Sequence, residues 1–295
     1  MRVFRAIAWG LVVVGIVLGR QGELPERQPM RHADALVLAV DFHVHSFPGD
    51  GSMPPWDLAM EAQRRGLDAI ALTNHNHRLQ WTLTQVLGFE SPGALLIPGE
   101  ELTSIGYHMA VAGTARNVAW QQSAADAAVR VHEAGGIAIA AHPAGKETTG
   151  FDDRALDVMD GVEAAHPLIY VFADGRRDLA QFYARATARR PGIAAIGSTD
   201  FHFFAPVGFC RTFVFARERS VSAILDAVRR GRTVACDASG TTYGPADLSR
   251  TVAEACRAAA GAPPVDAPRT EAASLWLAWS GLLLVVLLGS RETMA

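Results

Sequence analysis

Lysine is almost absent. Lys146 is the only one in 295 residues, and every other basic side chain is arginine, which reads as a bias of genome composition. An excess of one charge is also missing: 27 basic and 30 acidic residues leave a formal net charge of −3. That balance excludes a strongly basic surface, so no nucleic-acid partner is expected. Cysteine is scarce. Cys210, Cys236 and Cys256 are scattered, form neither a CxxC zinc site nor a disulfide framework, and read as small apolar residues. No GxGxxG or GxxxxGK[ST] follows any apolar run, which disfavours nucleotide-binding α/β folds. No internal repeat is visible. Apolar residues make up 49% and charged residues 19%, which fits a globular protein with added apolar segments.

Two of those segments sit at the ends. Ala6 to Gly19 is an uninterrupted apolar run behind Arg2 and Arg5, and its length suits a signal peptide or short signal anchor over residues 1–19. Ala272 to Gly289 is a second run, with Trp276 and Trp279 near its start and Arg291 after its end. It is long enough for a transmembrane helix over 272–289, followed by a tail at 290–295. Placing Arg2, Arg5 and Arg291 in the cytoplasm puts the middle of the chain outside it, although Arg20, Arg27, Arg31 and Arg269 oppose that choice. The expectation is a membrane-associated protein with an extracytoplasmic domain. Residues 20–34 and 237–271 read as linkers, the second with a helix near Leu248–Ala260.

Residues 35–236 remain as the candidate catalytic domain. Strand patterns at Leu36–Val40, Asp68–Leu72, Ala94–Ile97, Met109–Ala112, Ile137–Ala140, Val162–Ala164, Ile193–Ile196 and Thr212–Phe215 alternate with helical ones. The helices fall at Pro55–Arg65, Leu79–Leu87, Ser123–Ala134, Asp174–Arg189 and Ser222–Arg230. This β/α rhythm predicts a barrel of parallel strands, with an open doubly wound sheet as the alternative.

Polar residues collect at the strand ends. His43 and His45 follow the first strand and His75 the second. Glu100 and Glu101 follow the third, and His108 sits at the edge of the fourth. His142 follows the fifth, and Asp200 and His202 follow a late one. In a β/α barrel such points converge on one face. Imidazole and carboxylate are the common ligands of zinc, iron and manganese. In His43-x-His45 and Asp200-x-His202, extended backbone points both side chains to one side. His32, His77 and His132 read as ordinary hydrogen-bonded residues, and His166 is balanced between pocket and framework.

At these residues the sequence resembles the polymerase and histidinol phosphatase (PHP) superfamily. The resemblance runs from Asp41-Phe42-His43-Val44-His45-Ser46 and Asp50-Gly51 through Leu72-Thr73-Asn74-His75-Asn76. It continues in Pro98-Gly99-Glu100-Glu101-Leu102-Thr103, Tyr107-His108, Ala141-His142-Pro143 and Gly197 to His202. It implies a distorted (β/α)7 barrel holding two or three divalent ions of zinc, manganese or iron. His43, His45, Glu101 and Asp200 would hold the first. A bridging Glu101 with His108 and His142 would hold the second, and Asp50, His75 and His202 the third. One departure is Asn74, where the family often carries aspartate, so an altered tuning of the site is expected.

Closely spaced cations make water acidic enough to yield hydroxide near neutral pH and stabilise charge on a phosphate. A phosphoesterase acting on a small molecule is the leading expectation, with Asp200, Glu101 and His202 as candidate catalytic residues. Arg211, Lys146 and His166 are candidates for substrate binding. Carbamate or carboxyl-ester hydrolysis at the same site is the alternative, because the Pro-Gly-Glu-Glu run is similar to that of ester-cleaving PHP members. A non-catalytic, membrane-tethered metal-binding protein is the third reading.

Overall fold

The computed structural model describes residues 2–19, 24, 26, 28–91, 93–144, 148–172, 174–203, 205–261 and 269–290. Helix α1 (Arg2–Gly19) precedes a short strand, β1 (Met30–His32), within the stretch read as a linker. The apolar run Ala35–Val44 forms β2, buried almost without interruption, as a strand covered on both faces requires. Pro55 opens α2 (Pro55–Arg64), where its missing N–H costs nothing. Next come β3 (Ala69–Leu72), α3 (Leu79–Val86), β4 (Leu95–Ser104) and β5 (Tyr107–Ala112). Ser123 caps α4 (Ala124–Glu133) by accepting from the Asp126 amide. β6 (Ile137–Ala140), α5 (Asp153–Val158), β7 (Gly161–Ala165), α6 (Leu168–Val171) and α7 (Gly175–Arg189) follow. The chain continues through β8 (Ala194–Gly197), β9 (Arg211–Ala216), α8 (Val221–Arg229), β10 (Thr233–Cys236) and β11 (Thr242–Tyr243). Helices α9 (Ala246–Ala260) and α10 (Arg269–Ser290) end it.

The chain divides into two compact units, Glu26–Pro263 and the pair Met1–Pro25 with Pro264–Ala295. In the larger unit the strands follow the order β11-β10-β9-β2-β3-β4-β5-β6-β7-β8, with β1 beside β2. The sheet curls until β8 lies against β9 and β10. Thr212 of β9 fastens the join: its hydroxyl accepts from the Gly197 amide and donates to the Gly197 carbonyl, both at 2.9 Å. The result is a nearly closed, barrel-like α/β sheet.

An all-parallel barrel is not what forms. β2–β3–β4 and β6–β7–β8 run parallel, but β5 is antiparallel to β4 and β6, and β9 is antiparallel to β2 and β10. The cause lies in the connections. Ile105-Gly106, with Gly106 at φ +91°, makes a two-residue turn that can join only antiparallel neighbours. Alternate strand residues such as Leu38, Val40, Phe42, Ile97, Ile139, Ile196 and Val214 form one apolar cluster with Ile224 and Val228 of α8. The opposite faces pack beneath α2 and α9 on one side and α4, α5 and α7 on the other.

Two of the cysteines are not plain apolar residues. Cys236, at the end of β10, forms a disulfide with Cys256 of α9, and only Cys210 is free and buried. Their separation of 20 residues carries no pairing signal; the pair meets because β11 turns the chain back and α9 returns over β10.

In the smaller unit α1 and α10 pack on each other. Gly281 permits the approach, since a Cβ there would meet the Ala8 carbonyl oxygen at 2.6 Å and Val12 at 2.8 Å. Among the described residues, no helix is long and apolar enough to cross a membrane. The expected anchor at 1–19, the transmembrane helix at 272–289 and the membrane-associated location are therefore corrected. Apolar faces that read as spans are shared between two helices, with Ala8, Val12 and Ala278 buried.

Candidate metal centre

The strand ends deliver the side chains. Alternation along β2 places His43 and His45 side by side, with their Nε2 atoms 3.2 Å apart. Alternation along β4 turns Glu101 inward and Glu100 away; Glu100 instead accepts from the Val118 amide at 2.7 Å, and burial pushes its carboxyl up to about 7. The segment after β8 runs alongside the end of β2: the His45 amide donates to the Phe201 carbonyl at 2.9 Å. That pairing brings Asp200 and His202 to His43 and His45. His75 is paired with Glu101 in the same way. His142 and Asp200 hold left-handed backbone at φ +25° and +52°, a conformation disfavoured for residues other than glycine and concentrated at functional sites.

Four ligand-like groups result among the described residues: one joins His43, Glu163 and His166, and the other three hold the residues expected from the sequence. In the first, the Nε2 atoms of His43 and His45 lie 3.4 and 3.3 Å from Glu101 Oε2 and 3.3 and 3.1 Å from Asp200 Oδ1. In the second, Glu101 Oε1 lies 2.9 Å from His108 Nδ1 and 3.2 Å from His142 Nε2. In the third, Asp50 reaches His45 Nδ1 and His202 Nε2 at 3.0 Å each and His75 Nε2 at 3.3 Å. The two oxygens of Glu101 thus face different groups. All nine residues singled out in the sequence fall within these groups.

Burial of so many ionisable side chains needs an account. Burial lowers the affinity of His43 for a proton, but Asp200, Glu101 and Glu163 outweigh it and hold the imidazole well above its ordinary range. His45 is likewise raised to about 10, against burial, by Asp200, Asp50 and Glu101. Glu101 and Asp200 are depressed despite burial, chiefly by His43. Yet Glu101 Oε2 and Asp200 Oδ1 are buried and accept no well-formed hydrogen bond. These are the same two oxygens that face both imidazole Nε2 atoms of the first group. Buried acceptors are normally satisfied, and four convergent N and O donors of this chemistry suit a divalent cation. The residues fit metal ions.

Two framework residues escaped sequence reasoning. Glu163, in the middle of β7, accepts from His43 Nδ1 at 3.0 Å and from the His142 amide at 2.5 Å. It is wholly buried, and the imidazoles of His43, His166 and His142 outweigh burial and hold its carboxyl near 2. Asp41 accepts from the amides of Thr199 at 3.1 Å and Gly208 at 2.9 Å, pinning the segment that carries Asp200 to β2. Burial pushes Asp41 up to about 6. The available signal for Glu163 was a single acid inside a run of small residues.

The proposed substrate residues separate. His166 is buried beside the site, its Nε2 3.7 Å from Asp200 Oδ2. Arg211 does not reach it: its guanidinium donates to the carbonyls of Gly208 and Arg65 and borders a different cavity with Phe213 and Met30. As the first residue of β9 it is spent on bracing a loop. Lys146 lies outside the described residues. A cavity of about 470 Å³ opens over His75, His108, His142, Asp200 and His202. Its other wall carries Leu168, Phe172, Asp174 and Asp178.

Fold and site define a class: an α/β protein with a nearly closed sheet and a histidine–carboxylate centre able to hold metal ions. A family model described as PHP-associated matches residues 179–233. Among solved structures, a two-domain protein from Bacteroides vulgatus containing a predicted PHP-like metal-dependent phosphoesterase is 26% identical. That match covers 79% of this chain and 74% of the other, with a TM-score of 0.60. PsfC from Pseudomonas syringae is 18% identical over 75% of this chain and 98% of its own, with a TM-score of 0.49. A protein from Bifidobacterium adolescentis, provisionally named a metal-dependent phosphoesterase, is 17% identical over 57% and 90%, with a TM-score of 0.41. No curated protein matches the chain. The PHP-associated match and the Bacteroides vulgatus neighbour both support the resemblance to the PHP superfamily that the motifs carry.

Proposed function

We propose that this protein is a metal-dependent phosphoesterase acting on a small-molecule substrate at the cavity above Glu101. The observation that carries the reading is the division of Glu101 between two groups, Oε2 toward His43 and His45 and Oε1 toward His108 and His142. Divalent ions bound there would supply Lewis acidity, yield hydroxide near neutral pH and neutralise charge developing on phosphate. Asp200 belongs to the first group and lines the cavity, which supports a role in orienting water or accepting its proton. His166 accepts from the Leu168 amide through Nδ1 at 3.2 Å. Its neutral form therefore carries the proton on Nε2, toward Asp200. In this reading His202, which lines the cavity, and the buried Glu101 complete the reactive set.

A second reading, hydrolysis of a carbamate or carboxyl ester, is favoured by the wall opposite the centre. Leu168 and Phe172 offer it an apolar surface, and the carboxylates of Asp174 and Asp178 disfavour a second anionic group on the leaving side. Elemental analysis of the full chain, with matched aryl phosphates, carbamates and carboxyl esters, separates the two. Metal-dependent release of phosphate as the fastest reaction supports the first. Preference for the carbon esters supports the second, and no turnover by the metal-loaded protein overturns both.

A further inference from the structure

The loop between His45 and Asp50 carries an acid that has little else to hold it. Asp50 is the most exposed of the ligand-like acids, its side chain 45% accessible, and the partners recorded for its carboxylate are the imidazoles of His45, His75 and His202. Its position must come from the backbone. That backbone is held by the Phe47 amide donating to the Met53 carbonyl at 2.8 Å, by the Ser52 amide donating to the His202 carbonyl at 2.9 Å, and by one buried side chain. Asn74, wholly buried, accepts from the Ser46 amide through Oδ1 at 2.9 Å. The Ser46 hydroxyl lies 3.3 Å from the same oxygen. Its Nδ2 donates to the Ser46 carbonyl at 2.6 Å and the Pro48 carbonyl at 2.9 Å. Every hydrogen-bonding position of the amide group is used or crowded. A Cβ at Gly49 would fall 1.8 Å from Nδ2, so the loop closes over Asn74 only because residue 49 is glycine. The backbone carbonyl of Asn74 also accepts from the Glu101 amide at 3.0 Å. One residue thereby ties the Asp50 loop to the strand ends that carry His75 and Glu101.

We propose that Asn74 is the positioning residue of the third ligand group, and that this chain requires an amide there and not a carboxylate. An ionised carboxylate could still accept from Ser46, but its second oxygen would face two carbonyl oxygens with no proton to share. Two acceptors, one buried and one partly buried, would lose their donor and gain a negative neighbour, which costs more than the loss of a neutral contact. The loop would swing away and take Asp50 with it. This rests on the reading of the third group as a metal site.

The test uses the full chain carrying Asn74→Asp. Backbone hydrogen exchange of residues 46–51 is followed without metal, and bound metal is counted by elemental analysis. The expected result is at least tenfold faster exchange of the 46–51 amides and the loss of one metal equivalent, those at Glu101 being kept. Asp50→Asn should lose the same equivalent without speeding exchange at Ser46. Unchanged exchange and unchanged stoichiometry in Asn74→Asp overturn the proposal. If that variant does not fold, Gly49→Ala displaces the loop from the other side and should lose the same equivalent; full retention there overturns it too. A wild type that binds no metal would sink the metal reading, while the exchange data still judge the clamp.

Discussion

Replacing Glu163 by glutamine changes one atom and should weaken the centre without unfolding it. The carboxylate meets two donors, His43 Nδ1 at 3.0 Å and the His142 amide at 2.5 Å. A glutamine can present its oxygen to only one of them. Its NH2 then faces the other donor, so one charge-assisted bond is lost and the second is weakened. Bonds to charged groups are worth about 1.5–3 kcal/mol. Removing the partner that orients a metal-ligating histidine typically costs about 10–100-fold in affinity, which at roughly 1.4 kcal/mol per tenfold is the same range. We expect metal affinity to fall by about 30-fold. The assay is competition with a chelator of known affinity at fixed pH, followed by turnover at saturating metal. Recovery of most of the turnover at saturation is expected, because Glu163 acts through His43 and His142. Affinity within twofold of wild type, or activity lost even when the centre is filled, would refute the reasoning.

Other outcomes follow from the same geometry. Glu101→Gln should remove metal from both groups that share it, whereas His108→Ala should remove at most one equivalent; elemental analysis distinguishes them, and equal losses would contradict the bridging role. Cys256→Ser opens a loop of 20 residues, which by chain entropy costs about 3 kcal/mol and should lower the thermal midpoint by roughly 6–12 °C. A thiol reagent should find no reactive cysteine in the native protein, because Cys210 is buried and burial raises its thiol far above the ordinary range. Unfolding without reductant should expose one thiol, and reduction should bring the number to three.

The ligand set was legible because each residue stands next to an apolar run, and strand ends converge whatever the details of the sheet. His43 and His45 needed only two-residue alternation to be placed together, while Asp200 and His202 join them through the pairing of Phe201 with the end of β2. The direction of the strands was not legible in the same way. Ile105-Gly106 is a weak turn signal, and it alone decides that β5 runs against β4. Glu163 was invisible because a lone acid in Gly161–Ala165 has no periodicity; only the curled sheet brings His43 of β2 and His142 after β6 beside it. Arg211 misled for the converse reason: it follows the motif in sequence, but its guanidinium turns to the carbonyls of Gly208 and Arg65. The cysteine pair and the helix pair α1 and α10 both depend on what a segment meets after folding, which composition does not carry.

The Thr212 fastening gives the molecule an order of events. His43 ends β2 and Asp200 follows β8, and in the strand order these lie on different sides of a long path through β3 to β7. While the sheet is open, β8 is an edge and β2 lies inside the sheet, with β3 to β7 between them. They become neighbours when β8 comes round to β9 and Thr212 takes hold of Gly197. Contacts so far apart in the chain are the slowest to find each other. Closing the ring and assembling the first ligand group are therefore one act, and a chain that has folded only partway has no centre to fill.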